Sequence, residues 1–182
     1  MAARFASLGV FAQTPHGKAN HCLVNEYVPG WGIMPHEDGD AYAPVVATVS
    51  LGASVVLDVY QRPDCANGTA EPKLNDDDDD MQDGNGKAHT KRAQPTWRII
   101  QEPRSLLVTS GPVYASTLHG IADVDVDEDL NAQTVANWDL LGDAGVFERA
   151  RGRNVRGTRT SLTYRDVLRV SNAGTRILGG RR

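Results

Sequence analysis

At 182 residues the chain can bury one hydrophobic core and is short for two, so a single domain over residues 1–182 is expected. Its 40% hydrophobic and 23% charged residues suit a globular fold, and no apolar run reaches the roughly 18 residues of a membrane-spanning helix, so no membrane partner is expected. The net charge of −4 hides two opposed blocks: Glu71 to Asp83 carries seven acids against Lys73, and Arg149 to Arg182 carries ten arginines against Asp166.

The opening segment, Met1 to Phe11, has no sustained apolar stretch ahead of a cleavage pattern, so no secretion signal is read there. Cys22 and Cys65 lack the spacing of a zinc knuckle or a disulfide scaffold, and the expectation is a monomer in a reducing compartment, nucleus and cytoplasm. From His21 to Tyr27 the residues alternate as in a strand, with Leu23, Asn25 and Tyr27 on one face and Cys22, Val24 and Glu26 on the other. Pro29-Gly30 ends it, and GIMPHEDGDAY, Gly32 to Tyr42, follows as a turn bounded by proline and glycines. Val45 to Leu51 and Ser54 to Tyr60 are rich in β-branched residues, and the two residues Gly52-Ala53 between them predict a tight hairpin.

Gln61 to Pro95 holds NDDDDD, several prolines and few large apolar side chains, so it is expected to be a disordered acidic insertion that cannot recover its ordering entropy by burial. The aspartates lack the fixed offsets of a calcium-binding EF-hand loop, and Asn67-Gly68-Thr69 reads as a turn, not a glycosylation site. Strands are expected at Trp97 to Gln101, Ser105 to Val108, Ser116 to Val124 and Thr160 to Val167, with Asp127 to Leu141 the one helical candidate of any length. The fold class is therefore all-β. The arginine block fits both a solvated terminus and a surface for phosphate, the sequence-independent part of nucleic-acid binding.

His36 and Asp38 are next-but-one neighbours and reach the same side of an extended segment. A two-histidine, one-carboxylate metal site needs a third ligand on the same face of an octahedral ion. Of the five histidines, His119 in STLHGIADV is the candidate, since His16 and His21 lie near the start and His89 in the insertion. His119 is equally readable as a core histidine, and Tyr27 as barrel packing. Arg159, Ser161, Thr163 and Arg165 share one face of the last expected strand by period two, and guanidiniums on a face that is ordinarily core need partners. Trp31, Tyr42 and Tyr114 lie near these loops and fit either the rim of a base-sized pocket or simple aromatic burial.

With NxYxPG (Asn25 to Gly30), HxD, a distal histidine and RxSxTxR in this order, the chain resembles the AlkB family of non-haem Fe(II)- and 2-oxoglutarate-dependent dioxygenases. NHCLVNEYVPGWGIMPHEDG, TVSLG, EPRSLLV, LHGI and VRGTRTSLTYR are similar to the sixth animal-type AlkB homologue and its fungal and plant relatives, in patches from Asn20 to about Arg169. That resemblance implies a double-stranded β-helix, or jelly roll, using Fe(II), 2-oxoglutarate and O2. It implies His36, Asp38 and His119 as iron ligands. Asn25, Tyr27, Arg159, Ser161 and Arg165 become the 2-oxoglutarate contacts, with Arg159 clamping the distal carboxylate and Arg165 able to pair with Asp38.

Ser161 stands where DNA-repair members commonly carry asparagine. The implied reaction is oxidative demethylation of methylated RNA or DNA, reached through the arginine-rich C-terminal part. Relatives carry a longer region ahead of NxYxPG that forms part of a nucleotide-recognition lid, which this chain is expected to lack. The alternatives are a catalytically impaired relative that binds nucleic acid or protein, and a cupin-like metal enzyme independent of 2-oxoglutarate.

Overall fold

The structure, a computed structural model, describes residues 1–62 and 94–169. Cys65, the Asn67-Gly68-Thr69 triplet, the aspartate run, His89, the body of the 61–95 insertion and the arginines beyond Arg169 lie outside those residues. Along the chain run α1 (Ala2–Ser7), β1 (His21–Tyr27), β2 (Ile33–His36), β3 (Tyr42–Gly52) and β4 (Val55–Gln61). After the gap come β5 (Trp97–Gln101), β6 (Leu106–Ser110), α2 (Gly111–Ser116), β7 (Thr117–Ile121), β8 (Val126–Asp127), α3 (Gly145–Arg149), β9 (Asn154–Val155) and β10 (Arg159–Val167).

The strands form two four-stranded antiparallel sheets, in the orders β1-β10-β3-β6 and β2-β7-β4-β5, with β8-β9 a separate two-stranded ladder. This is the jelly roll that the sequence implied. Alternation decides what each face does. On β3, Val45, Ala47 and Val49 point outward into an apolar cluster with Phe5 and Phe11, joined by Leu162 and Tyr164 of β10. Phe5 meets Phe11 and Tyr164 edge-on, at centroid distances of 5.7 and 4.9 Å. A second apolar cluster, of Val56, Ile100, Leu130, Val135 and Phe147, lies on the outer side of the other sheet. The space between the sheets takes the polar side chains of β10 and of β3 at Thr48 and Ser50, among apolar ones such as Leu23, Val46, Leu57 and Leu107.

Four local expectations are corrected. β3 and β4 do not form a hairpin, because the chain leaves one sheet at Gly52 and enters the other at Val55. Gly52 has φ +82°, and a Cβ there would stand 2.4 Å from the Thr158 carbonyl oxygen, so the crossing needs glycine. The stretch 127–141 is not an α-helix. Its polar side chains capture the backbone instead: Gln133 N donates to Asn131 Oδ1 at 2.9 Å and the Thr134 hydroxyl donates to the Asp129 carbonyl. Only a 3-10 turn, Trp138–Leu140, forms there, and the Asn137 amide bonds both backbone groups of Ile100 at 2.9 Å, covering the edge of β5. The N-terminal α1 was not anticipated, and His36 ends a short strand where a turn was expected.

Candidate functional site

The eight residues singled out from the sequence, Asn25, Tyr27, His36, Asp38, His119, Arg159, Ser161 and Arg165, all line one cavity of about 110 Å³ between the sheets. Their positions follow from strand registers. In β1 and β10, Asn25 faces Ser161 and Tyr27 faces Arg159, while in β2 and β7 His36 faces His119. The last pair depends on glycine: a Cβ on Gly120 would stand 2.9 Å from Ile33 O and Pro35 N, and one on Gly32 2.2 Å from Ile121 O. The two short strands press together because neither position carries a side chain.

The His36 and His119 ring centroids are 4.5 Å apart. His36 Nδ1 donates to the Met34 carbonyl at 2.8 Å, which leaves Nε2 as the nitrogen with a free lone pair. The Asp38 side chain is 4% exposed; Oδ2 lies 4.0 Å from His119 Nε2, and Oδ1 accepts from Arg165 Nη2. Burial, opposed by Asp38 and reinforced by His36 and Arg165, holds the His119 imidazole below its ordinary pKa. Yet among the described residues no group of three or more His, Cys, Asp or Glu side chains converges as a metal ion requires. The three donors face one cavity without closing on a common point.

Arg159 is 3% exposed. Its Nε donates to Ser50 Oγ at 2.7 Å, its Nη2 donates to Gln101 Oε1, and its guanidinium lies 5.4 Å from the centroid of the Tyr27 ring. Burial is the main cause that brings its pKa down to about 10, with Tyr27 opposing and Arg156 adding to the shift. A guanidinium held by neutral oxygens, with no acidic partner among the described residues, is poised for an anion that enters the cavity.

Sequence reasoning missed Ser50 and Gln101, although Ser50 shares the interior parity of Val46 and Thr48. It also missed the buried pair Arg156–Asp127, in which Nε and Nη2 of Arg156 bond both carboxylate oxygens at 3.1 and 2.5 Å, and Nη1 bonds the Ala122 carbonyl at 2.5 Å. No local spacing marks that pair. None of the three aromatics singled out from the sequence lines this cavity: Tyr42 stacks on Arg165, Tyr114 donates its hydroxyl to Gly39 O at 3.0 Å, and Trp31 is 66% exposed. Burial and the charge of Asp38 raise the Tyr114 pKa, with Arg165 opposing.

Residues 5–165 match the sequence profile of the 2OG-Fe(II) oxygenase superfamily. The chain belongs to that superfamily. Within it, a zebrafish (Danio rerio) protein named "Probable RNA/DNA demethylase ALKBH6" is 37% identical over 171 residues, covering 93% of this chain and 61% of its own length. A Xenopus tropicalis protein, tRNA (carboxymethyluridine(34)-5-O)-methyltransferase alkbh8, is 30% identical over 147 residues, 79% of this chain and 18% of that protein. This 2OG-Fe(II) oxygenase chain thus spans about three fifths of the first relative and under a fifth of the second. Among solved structures, that of OsALKBH1 aligns over 91% of this chain and 59% of its own with a TM-score of 0.43 and 16% identity, too loosely to inform the site. The AlkB resemblance read from the sequence is borne out by the superfamily match and the ALKBH6 relative.

Proposed function

We propose that the cavity is a dicarboxylate site, taking 2-oxoglutarate with Arg159 at its distal carboxylate. The observation that carries this reading is the buried Arg159, held by the neutral Ser50 and Gln101 and facing the cavity. A planar guanidinium meets a carboxylate with two parallel hydrogen bonds, which a lysine cannot do. Tyr27 covers the guanidinium and keeps water from it, while Ser161 and Asn25, side by side on adjacent strands, supply polar groups along the bound chain.

His36, Asp38 and His119 are of the right chemical kind to hold Fe(II), two imidazoles and a carboxylate on one side of an open cavity. Iron bound there would supply activation of O2, coupled to oxidation of 2-oxoglutarate. For the whole protein two readings then stand. Failure of the three donors to converge favours a catalytically impaired relative that binds nucleic acid or protein. Retention of all eight residues around one cavity favours an oxidative demethylase of methylated nucleic acid.

One experiment separates them. Anaerobic titration of 2-oxoglutarate into the Fe(II)-loaded protein, followed by exposure to air and assay of succinate, is expected to give a metal-dependent absorption band with little succinate from an impaired relative. Stoichiometric succinate would show turnover and exclude the impaired reading, and formaldehyde released when methylated RNA or DNA is added would then select the demethylase. Absence of the band at every 2-oxoglutarate concentration would remove the dicarboxylate reading altogether.

A further inference from the structure

Arg165 lies on the interior face of β10 and is 9% exposed. Its Nη2 donates to Asp38 Oδ1, but its Nε is buried without a hydrogen-bond partner. Hydrogen bonding through one nitrogen leaves the guanidinium plane free to turn about that contact. Its other neighbour is an aromatic face: the guanidinium carbon stands 4.7 Å from the centroid of the Tyr42 ring. Behind it, the His21 ring is stacked with Tyr42 at 6.1 Å and 28°, and His21 faces Arg165 across the β1–β10 register.

The backbone places Tyr42 there by an irregularity. Arg165 pairs with Val46, so a regular ladder would set Val167 opposite Pro44, but Val167 pairs with Tyr42. Two extra residues of β3 are taken up between those pairs, and bulges of this kind re-aim side chains beside functional sites. The bulge brings an aromatic face, where proline would have stood, alongside the guanidinium that grips Asp38.

We infer that Tyr42 is a positioning residue for the metal carboxylate: its ring, backed by His21, fixes the Arg165 guanidinium so that Arg165 takes Asp38 Oδ1 and leaves Oδ2 on the side of His119. The inference rests on the reading of His36, Asp38 and His119 as the metal ligands. Outer partners of this sort typically shift metal affinity by about ten- to a hundredfold. The ring face does the work in this account, and the tyrosine hydroxyl is dispensable.

The test is calorimetric titration of Mn(II) into the full chain for wild type, Tyr42→Phe, Tyr42→Leu and Tyr42→Met, the last filling the volume without a ring. A two-dimensional ¹⁵N–¹H spectrum of the arginine Nε–H groups accompanies it, with the Arg165 signal assigned by its loss in Arg165→Lys. The expected result is Mn(II) affinity weakened about tenfold in the folded ringless variants and kept within about twofold in Tyr42→Phe. The ring-shifted Arg165 Nε–H signal is expected to persist in Tyr42→Phe and to move in Tyr42→Leu and Tyr42→Met. Wild-type affinity in both ringless variants, or a Tyr42→Phe protein as weak as they are, would overturn the positioning role. Wild type that binds no Mn(II) would instead overturn the metal reading, and the inference with it.

Discussion

Arg159 is a cation placed where cations are costly, since burial takes away its hydration and its hydrogen-bond partners return no opposite charge. With its pKa lowered only to about 10, it is still charged at neutral pH. On the proposed reading its worth is in what it binds. Replacing Arg159 by Lys keeps the charge but loses the fork, and we expect 2-oxoglutarate to bind the Mn(II)-loaded protein about tenfold more weakly; Ala should weaken it about a hundredfold or more, both by calorimetry. The pH dependence has a definite sign. Both ligand carboxylates are ionised throughout the alkaline range, so affinity should hold from neutrality upward and fall only as pH rises through about 10, where free Arg159 loses its proton. An affinity already falling between pH 7 and 8 would place the distal carboxylate on some other group.

Single elements set the spacing of the site. β2 is four residues long, contains Pro35, and was not read as a strand because so short a run shows no alternation. Its place is fixed from outside, by Gly32 and Gly120, whose missing side chains let β2 press on β7 and bring His36 opposite His119. Gly120→Ala should force the strands apart, costing about 1–3 kcal/mol in urea unfolding and weakening Mn(II) binding in the same protein. A variant with unchanged metal affinity would show that the close approach serves stability alone.

A second device ties the segment before β1 to the end of β10. Asp166 is fully enclosed, and burial alone would raise its pKa; hydrogen bonds from the Thr14 hydroxyl, the His16 N–H at 3.1 Å and the His16 ring at 2.6 Å bring it below the ordinary value. A lowered carboxyl pKa adds stability that is complete above the unfolded value, about 3.9, and is lost as pH falls through the folded one. Asp166→Asn should therefore cost about 1–3 kcal/mol at pH 7 and flatten the acid limb of the stability profile. An acid limb as steep as that of wild type would exclude Asp166 as its source.

Over the whole molecule, what was legible in the sequence was whatever is carried by period and order. β1 and β5 were bounded as they stand and β10 to within a residue, and alternation gave the interior faces that carry Asn25, Tyr27, Arg159, Ser161 and Arg165; His36, Asp38 and His119 were legible only through the HxD pattern and the family resemblance. What was not legible depends on residues far apart in the chain. The partners of Arg159 come from positions 50 and 101, Arg156 finds Asp127 across the small ladder, and the β3–β4 link turns between sheets because of a contact with Thr158.

The same architecture puts its apolar clusters on the outside of the two sheets and leaves cations between them. On the proposed reading that arrangement trades stability for binding, and the trade can be measured. In the ligand-free protein, Arg159→Met removes a buried charge without an acidic partner and fills its volume with apolar atoms, so Tm should stay level or rise. Adding 2-oxoglutarate at about 100 times Kd to the Mn(II)-saturated protein should stabilise wild type by about a further 2.7 kcal/mol, a Tm gain of roughly 5–11 °C for a chain of this size. Arg159→Met should gain only what Mn(II) alone confers. Thermal melts of the two proteins, each with and without the dicarboxylate, test both halves at once. A variant less stable than wild type when empty, yet still stabilised by 2-oxoglutarate, would mean that Arg159 holds the barrel together and that the dicarboxylate binds elsewhere.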